Sequence, residues 1–352
     1  MNDDLRSFLN EQAVFLEKKR IKAVRLNYLF RIIKPLRTLL KGVFFILLII
    51  NFIVPVLIPA VIATGIVLFL LSIINDPKKV FESQLKNQVL PTIFKHINDT
   101  FQYAPHGYNG ETLKQSQFLS KGFFANTFEI EGEDYVKGKI GTIDVEFFEI
   151  KFFKKQINYA KTIGGCLLSI ILIPILIIKN IFTGDNDNAD DAIIGIVEEI
   201  NIFFSGFFMY ADFHKEFNGK VFMLPKKNDR LKDKLYEMLD PKTLSKINVE
   251  NPFINDKYNI YTSDVQTGYY VLSQNLIDRI HTLSESEKAL PIVSFINGKM
   301  YFIIPWDKNF FKASIATKIK DGDYFIPYIH EINSFEKIVK DLNLDTRIWT
   351  KD

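Results

Sequence analysis

The stretch that decides the architecture is Gly42–Ile74, GVFFILLIINFIVPVLIPAVIATGIVLFLLSII, which contains no charged residue. As one straight helix this stretch alone would reach about 50 Å, against about 30 Å of hydrocarbon, and residues 36–40 extend the apolar zone further. Two prolines stand near the midpoint, where a turn would fall. We therefore predict a transmembrane helical hairpin over residues 36–75, with a shallow re-entrant hairpin as the alternative. Its predicted anchor residues include Leu36, Phe44, Ile50, Pro55, Pro59, Leu68 and Ile74.

The 35 residues before the hairpin form a basic arm with a rough helical stripe of apolar residues. No acidic residue occurs from Lys18 to Asn75. Such a helix beside a membrane segment is typical of contact with anionic headgroups, and the alternative is a flank that only sets topology. The predicted membrane-surface residues are Lys18, Lys19, Arg20, Lys22, Arg25, Arg31, Lys34, Arg37 and Lys41.

Charge on the two flanks predicts the orientation of the hairpin. Lys and Arg are absent from the connection between the two helices, whereas the arm on one side and Lys78, Lys79 and Lys86 on the other are basic. The positive-inside rule then places both ends in the cytoplasm. We expect a multi-pass protein of the cytoplasmic (inner) membrane, in contact with lipid.

Composition limits the function of residues 76–352, which we expect to form one cytoplasmic domain with an apolar insertion at about 160–195. The formal charge of +3 is too small for a nucleic-acid footprint over the whole surface. The single cysteine, Cys166, excludes an internal disulfide. The 33 phenylalanines indicate a Phe-rich core, with an apolar ligand cavity as the alternative.

The order of predicted elements favours an α+β domain with a largely antiparallel sheet. Helices are predicted over Val80–Phe101 and at about 229–239, 273–285 and 331–342. Asn297-Gly298 is the best hairpin signal in the chain. The predicted strands are Gly122–Ile130, Tyr135–Ile140, Thr142–Lys154, Ile202–Ala211, Lys220–Leu224, Tyr258–Thr262, Ile292–Asn297 and Lys299–Pro305.

Several segments resemble a bacterial membrane-anchored family, the domain of unknown function 3137. They are Gly132–Gly141 (GEDYVKGKIG), Gly206-Phe207-Phe208 with Ala211-Asp212-Phe213, Tyr261–Asp264 with Tyr270-Val271-Leu272, and Ile338–Lys351 with its closing TRIWTK. The resemblance spans most of the chain and implies a hydrophobic hairpin before the domain. It supplies no catalytic residue because the family has no assigned activity. His214 stands where the family pattern more often has Asn, which argues against an essential imidazole there.

A second apolar stretch, LLSIILIPILII at Leu167–Ile178, is shorter than a membrane span. Three interpretations are open: a buried helix, a loop that contacts the membrane, and a full crossing. For the membrane-contacting loop, the predicted contact residues are Leu167, Ile171, Pro174 and Ile177.

Motifs for chemistry are weak throughout. The histidines have no metal-ligand spacing, and Asp212-Phe213-His214 is an arrangement common by chance. The Gly132–Gly138 spacing departs from a P-loop, and there is no nucleophile elbow. Cys166 borders the apolar insertion, and neighbouring acids such as Glu133-Asp134 are expected to be solvated charges. We predict no metal and no cofactor.

The tail Thr346–Lys351 carries Arg347 and Trp349, side chains that require partners. It is interpreted as packed on the domain or as an exposed partner-binding motif.

The functional prediction is a non-enzymatic membrane-anchored module that binds lipid, a protein partner or a second copy. The alternative is an enzyme acting on a membrane-embedded or lipid-linked substrate. A pore formed by the hairpin is disfavoured because the hairpin has no intramembrane charge.

Overall fold

The computed structural model describes residues 3–53, 55–118, 129–157, 198–213, 215–226, 244–306 and 310–342. Among these the fold is α+β, with a long N-terminal helix and an antiparallel sheet, as the sequence predicts. The predicted helix at 229–239, the insertion at about 160–195 and the tail lie outside the described residues.

Helix α1 runs without interruption from Asp3 to Ile53 and continues through Pro35. A 3-10 turn at Pro55–Leu57 follows, and α2 (Ile58–Ser72) packs back against α1. Close packing is possible at Gly65, where an added Cβ would lie 3.3 Å from the ring of Phe44. The two helices form one apolar region on both sides of the turn. Away from the turn, α1 continues into the domain core, whereas α2 ends at Ser72.

One stretch among the described residues, Ile58–Ile97, is long and apolar enough to cross a membrane. The most apolar part of this stretch has a mean hydropathy of 2.3. That part corresponds to α2, because the stretch is not helical at 73–76. None of the residues of α2 is buried. The finding covers one of the two predicted spans.

The helix predicted over Val80–Phe101 is divided into three parts. Helix α3 (Pro77–Gln84) begins at an Asp76 cap, a π-helical turn occupies Leu85–Val89, and α4 (Leu90–Ile97) follows with Pro91 in its first turn. The wider turn accommodates Pro91, which has no N–H and crowds the preceding turn.

Within the described ranges, nine strands form one sheet in the order β1-β2-β3-β4-β9-β8-β5-β7-β6, and each pair is antiparallel. Asn297 and Gly298 join β8 to β9 with positive φ of 48° and 74°, as their hairpin signal predicts. The strands are β1 (Gln102–His106), β2 (Glu129–Ile140), β3 (Ile143–Ile157), β4 (Glu198–Asp212), β5 (Lys220–Pro225), β6 (Ser245–Ile247), β7 (Tyr258–Thr262), β8 (Ile292–Ile296) and β9 (Lys299–Pro305).

The remaining helices are α5 (Gly110–Gln115), α6 (Pro252–Lys257), α7 (Val265–Val271), α8 (Gln274–Glu287) and α9 (Ile326–Asp341), the last preceded by a 3-10 turn at Gly322–Phe325. The sequence predicts α8 closely, and α9 begins five residues before the predicted 331. Strand β1, which the sequence does not predict, contains Pro105. Its place at the edge of the sheet explains how a strand tolerates proline.

Alternation along the strands divides the core between the two faces of the sheet. Phe147 and Phe207 face one cluster, which also receives α1, α3, α4, α8 and α9, whereas Phe148 and Phe208 face the other. Phe335 of α9 stacks on Phe207 with ring centroids 4.6 Å apart. The prediction of a Phe-rich core is therefore confirmed for the described residues.

Candidate functional site

A cluster of ionisable side chains lies on the helix-covered face of the sheet. It joins Lys86 from the π-helical turn, Tyr103 from β1, Glu133 and Asp134 from β2, and Glu149 from β3. Lys86 and Asp134 are each 3% exposed and Glu149 is 4% exposed. Charges at this depth require close partners, so their geometry is informative about what the cluster can do.

The π-helical turn places Lys86 in the core. The backbone N–H of Leu90 donates to the carbonyl of Leu85, the i to i+5 bond that widens this turn. Leu85 and Val89 are fully buried on either side of Lys86. Turns of this kind are rare and are frequent at functional sites, which makes this lysine a candidate.

A bulge in β2 turns Asp134 inward. The pairing with β3 shifts between Glu133 and Val136, and Asp134 adopts a φ of 56°, in the left-handed region that Asp tolerates better than most residues. Gly132 precedes the bulge because a Cβ there would come within 2.5 Å of the side chain of Tyr108. The glycine therefore serves close packing beside the bulge.

Asp134 is the centre of the hydrogen-bond network. Its Oδ2 lies 2.8 Å from Nζ of Lys86, and its Oδ1 accepts a hydrogen bond of 2.5 Å from the hydroxyl of Tyr103. Nζ of Lys86 is also 3.3 Å from Glu133 and 3.7 Å from Glu82. Separately, Glu149 accepts a hydrogen bond from the backbone N–H of Phe310.

Burial controls the protonation of these groups. Burial and, to a lesser extent, the charge of Asp134 together raise the pKa of Glu149 to about 8, against the Phe310 N–H, which lowers it. Burial also raises the pKa of Asp134, against the Lys86 ammonium and the Tyr103 hydroxyl, which lower it. For Lys86, burial lowers the pKa, but Asp134, Glu133 and Glu82 outweigh it and hold the pKa above its ordinary value. At neutral pH the cluster thus holds a charged lysine and a largely protonated Glu149.

Oxygen atoms of Glu133, Asp134 and Glu149 lie within 4.8 Å of one another, which is the spacing of a possible metal site. The Lys86 ammonium is already within 3.3 Å of two of these carboxylates and supplies the compensating positive charge. The arrangement therefore favours an ion-pair network that can hold and exchange a proton.

The residues predicted from the sequence lie elsewhere. All nine basic arm residues lie on α1, as do Leu36, Phe44 and Ile50, whereas Pro55 is in the 3-10 turn and Pro59 and Leu68 are on α2. Ile74 follows α2. Asp212 ends β4. The other predicted positions lie outside the described residues, namely Cys166, Leu167, Ile171, Pro174, Ile177, His214, Arg347 and Trp349.

The expectation that Glu133-Asp134 would be solvated is wrong for Asp134. Adjacent residues of a regular strand point to opposite faces, but the bulge breaks this alternation and buries the second acid. Lys86 was also missed, because a lysine on an amphipathic helix is ordinarily solvated. The Gly132-Glu-Asp sequence was a usable signal, since a glycine beside polar residues in a strand indicates a bulge.

The comparisons with known proteins give a family for the second half of the chain. A search of curated proteins found no match. Among solved structures, the mycobacterial trehalose monomycolate transport factor A, TtfA, resembles the chain with a TM-score of 0.31 and 10% identity, over 73% of this chain and 96% of that one. A likeness this weak leaves the function to be argued from the residues.

Residues 202–344 match the family model described as a protein of unknown function (DUF3137). The matched range includes the motifs at Gly206–Phe213 and Tyr261–Leu272, and it excludes Gly132–Gly141 and the TRIWTK tail. The chain therefore carries a domain of the family of unknown function 3137, as the sequence motifs indicate.

Proposed function

We propose that this protein is a membrane-anchored binding module whose α+β domain faces the cytoplasm. The carrying observation is α2, a charge-free apolar helix with no buried residue. Its outward side chains include Ile62, Ile66 and Leu70, each more than half exposed. An apolar surface of this extent is unfavourable in water and is typical of membrane contact.

Two crossings are the form of anchoring that we propose. Residues 58–74 would reach about 26 Å as a helix, close to the hydrocarbon thickness. The charge-free end of α1, residues 42–53, packs against α2 and is shorter, at about 18 Å; the preceding residues 36–41 extend it, with Arg37 and Lys41 reaching the headgroups. Basic residues on both flanks, with none in the connection, support a cytoplasmic position for the domain.

The continuity of α1 supports a fixed position for the domain above the bilayer. Leu5, Leu9 and Leu16 of α1 are buried in the domain core, and the same helix continues into the apolar segment. Nearer the apolar segment, Arg31, Lys34, Arg37 and Lys41 are the residues that we propose contact anionic headgroups.

We also propose that Leu167–Ile178 forms a second bilayer contact. Pairing of β3 with β4 continues to Ile157 and Glu198. It thus extends four residues beyond Phe153, which pairs with the first residue of β2. Lys86 contacts Glu133 and Asn98 contacts Lys139, so the helical segment that begins with α3 runs in the same direction as β2. The extension of β3 and β4 therefore points toward the start of α3. The insertion thus joins the sheet at the end nearest the hairpin.

Membrane extraction tests the anchor. The full chain should resist alkaline carbonate, and the variant I62K/I66K/L70K should become extractable because three charges would enter the hydrocarbon. The matched control V265K/Y269K/Y270K changes three exposed apolar residues of the domain and should stay resistant. Extraction of the wild-type chain by carbonate would refute integral anchoring.

The same variants test the second contact. If the insertion binds the bilayer, I62K/I66K/L70K should still float with phosphatidylcholine vesicles, which offer the basic residues of α1 no anionic headgroup, and adding I171K/I177K should release it. Complete release by the hairpin substitutions alone would refute the second contact while leaving the anchor intact.

Orientation can be tested by labelling. A cysteine introduced at exposed Tyr269 in a Cys166→Ser background should react with a membrane-impermeant maleimide in inverted vesicles and not in intact cells. Labelling in intact cells would place the domain outside the cytoplasm.

An enzyme acting on a membrane-embedded or lipid-linked substrate is the second candidate. The observation in its favour is Glu149, whose pKa of about 8 suits proton transfer near neutral pH. Incubation of the full chain with total lipid of the native host, followed by mass spectrometry, tests it. Consumption of a lipid by the wild type and not by Glu149→Gln would support the enzyme, and an unchanged lipid profile would count against it.

A further inference from the structure

Helix α1 presents an outward ridge between the domain and the apolar segment. Val14, Ile21 and Tyr28 recur every seven residues and are 58%, 41% and 53% exposed. Lys18 and Arg25 stand between them on the same side and are also exposed. This set, Val14, Lys18, Ile21, Arg25 and Tyr28, is called the outward ridge.

The opposite side of α1 is already occupied. Leu9, Leu16 and Ala23 face the domain core and are buried, and their positions lie about half a turn from the ridge. The helix therefore has one face for its own domain and a second apolar face that is open to solvent. An exposed heptad pattern of this kind is the seam that pairs one helix with another.

Charge on the ridge is of one sign. Lys22 flanks it with a further exposed cation. The neighbouring acid, Glu17, accepts hydrogen bonds from Arg20 and from the backbone N–H of Ile319, so it is engaged by the domain. A second acid, Glu11, is exposed on the same face beyond the N-terminal end of the ridge. Two copies anchored in one bilayer would run parallel, so their pairing through the ridge would bring each charge against its like, which is destabilising at helix seams.

Distance separates the ridge from the bilayer. At about 1.5 Å per residue, Tyr28 stands about 21 Å and Val14 about 42 Å from Gly42 along the uninterrupted helix. The headgroup layer adds about 5–8 Å to each side of the hydrocarbon, and physiological salt screens charge beyond about 8 Å. A tilt of about 40° would still leave Val14 about 32 Å away.

We propose that the outward ridge docks an acidic amphipathic helix of a protein partner. Apolar side chains of that helix would pack against Val14, Ile21 and Tyr28, and its carboxylates would pair with Lys18 and Arg25. The proposal deepens the binding function above and uses the membrane anchor to exclude the bilayer and an antiparallel second copy as the occupant.

A synthetic peptide of about three heptads, with Leu at a and d and Glu at e and g, is the probe. It should bind the full chain in phosphatidylcholine nanodiscs, more weakly as salt rises, and should bind empty nanodiscs less. Lys18→Glu/Arg25→Glu should weaken binding about tenfold or more and transfer preference to a peptide with Lys at e and g. Ile21→Glu should also weaken binding, and Val265→Glu, at an exposed apolar site on α7, should leave it unchanged.

Equal binding of the Glu and Lys peptides, or indifference to the charge reversal, would overturn the proposal. An environment-sensitive dye at position 21 or 46, in a Cys166→Ser background, separates this failure from failure of the anchor. The dye at 46 should report hydrocarbon and the dye at 21 water. A lipid environment at 21 would make the bilayer the occupant, and self-association lost in the charge-reversed variant would make it a second copy. Water at both positions would refute the anchor alone.

Discussion

Nζ of Lys86 lies 2.8 Å from Oδ2 of Asp134, and both side chains are almost completely buried. This ion pair links the helix that leaves the apolar segment to the bulge of β2. It is therefore one of the contacts that hold the helical layer and the sheet in register.

Removing one member of this pair should be strongly destabilising. Lys86→Met leaves the Asp134 carboxylate buried without its cation, and we expect a loss of about 3–5 kcal/mol in the free energy of unfolding. Urea denaturation in mild detergent measures this. Lys114→Met breaks the fully exposed Lys114–Glu111 pair and is the matched control, expected to change stability little. A Lys86→Met protein as stable as the control would contradict the role of the pair.

The free energy of unfolding should fall as pH rises because of Glu149. Its pKa of about 8 in the folded protein exceeds the ordinary 4.5, so the folded state binds this proton more tightly than the unfolded state. The stabilisation is complete below pH 4.5 and is lost as pH rises through about 8, a loss of about 4–5 kcal/mol.

Glu149→Gln keeps a neutral side chain at every pH and should flatten that part of the profile. Measured from pH 5 to 8.5, the variant should become more stable than the wild type at the alkaline end. Parallel profiles for the two proteins would show that Glu149 does not carry the dependence.

Gly206 should not tolerate a side chain. A Cβ there would lie 2.5 Å from the carbonyl oxygen of Ile304 and 2.6 Å from the ring of Phe204, and the first of these is backbone of the neighbouring strand. Gly206→Ala should therefore lower the free energy of unfolding by about 1–3 kcal/mol. Gly110→Ala, whose nearest neighbour would be 3.8 Å away, is the control and should be neutral or slightly stabilising.

Docking of α1 on the domain should depend on Glu17. The Arg20 hydrogen bond is the main cause that lowers the pKa of Glu17 to about 2, and the Ile319 N–H contributes. This stabilisation is present above pH 4.5 and is lost as pH falls toward 2. Glu17→Ala should speed hydrogen exchange at Ile319 and leave exchange in β9 unchanged. Equal exchange at Ile319 in both proteins would show that Glu17 does not hold the backbone at Ile319 against α1.

Local pattern was sufficient for much of this protein. The charge-free stretch Gly42–Ile74 has a length and composition that identify an apolar pair of helices without any tertiary information. Runs rich in Phe, Val and Ile predicted β3, β4 and β9, and Asn297-Gly298 predicted the turn between β8 and β9, because these signals depend on neighbours in the chain. The family motifs likewise identified the domain at 202–344.

Only the tertiary structure decided which charged side chains are buried and paired. Lys86 and Asp134 are 48 residues apart, and nothing in the sequence pairs them. Their burial depends on a π-helical turn and a bulge, each of which departs from the regular period by which sequence patterns are interpreted. The same applies to α1, whose basic composition indicated a membrane arm, whereas packing buried Leu9 and Leu16 in the domain and left Val14 and Ile21 exposed. Which face of an amphipathic helix is covered depends on what the rest of the chain places beside it.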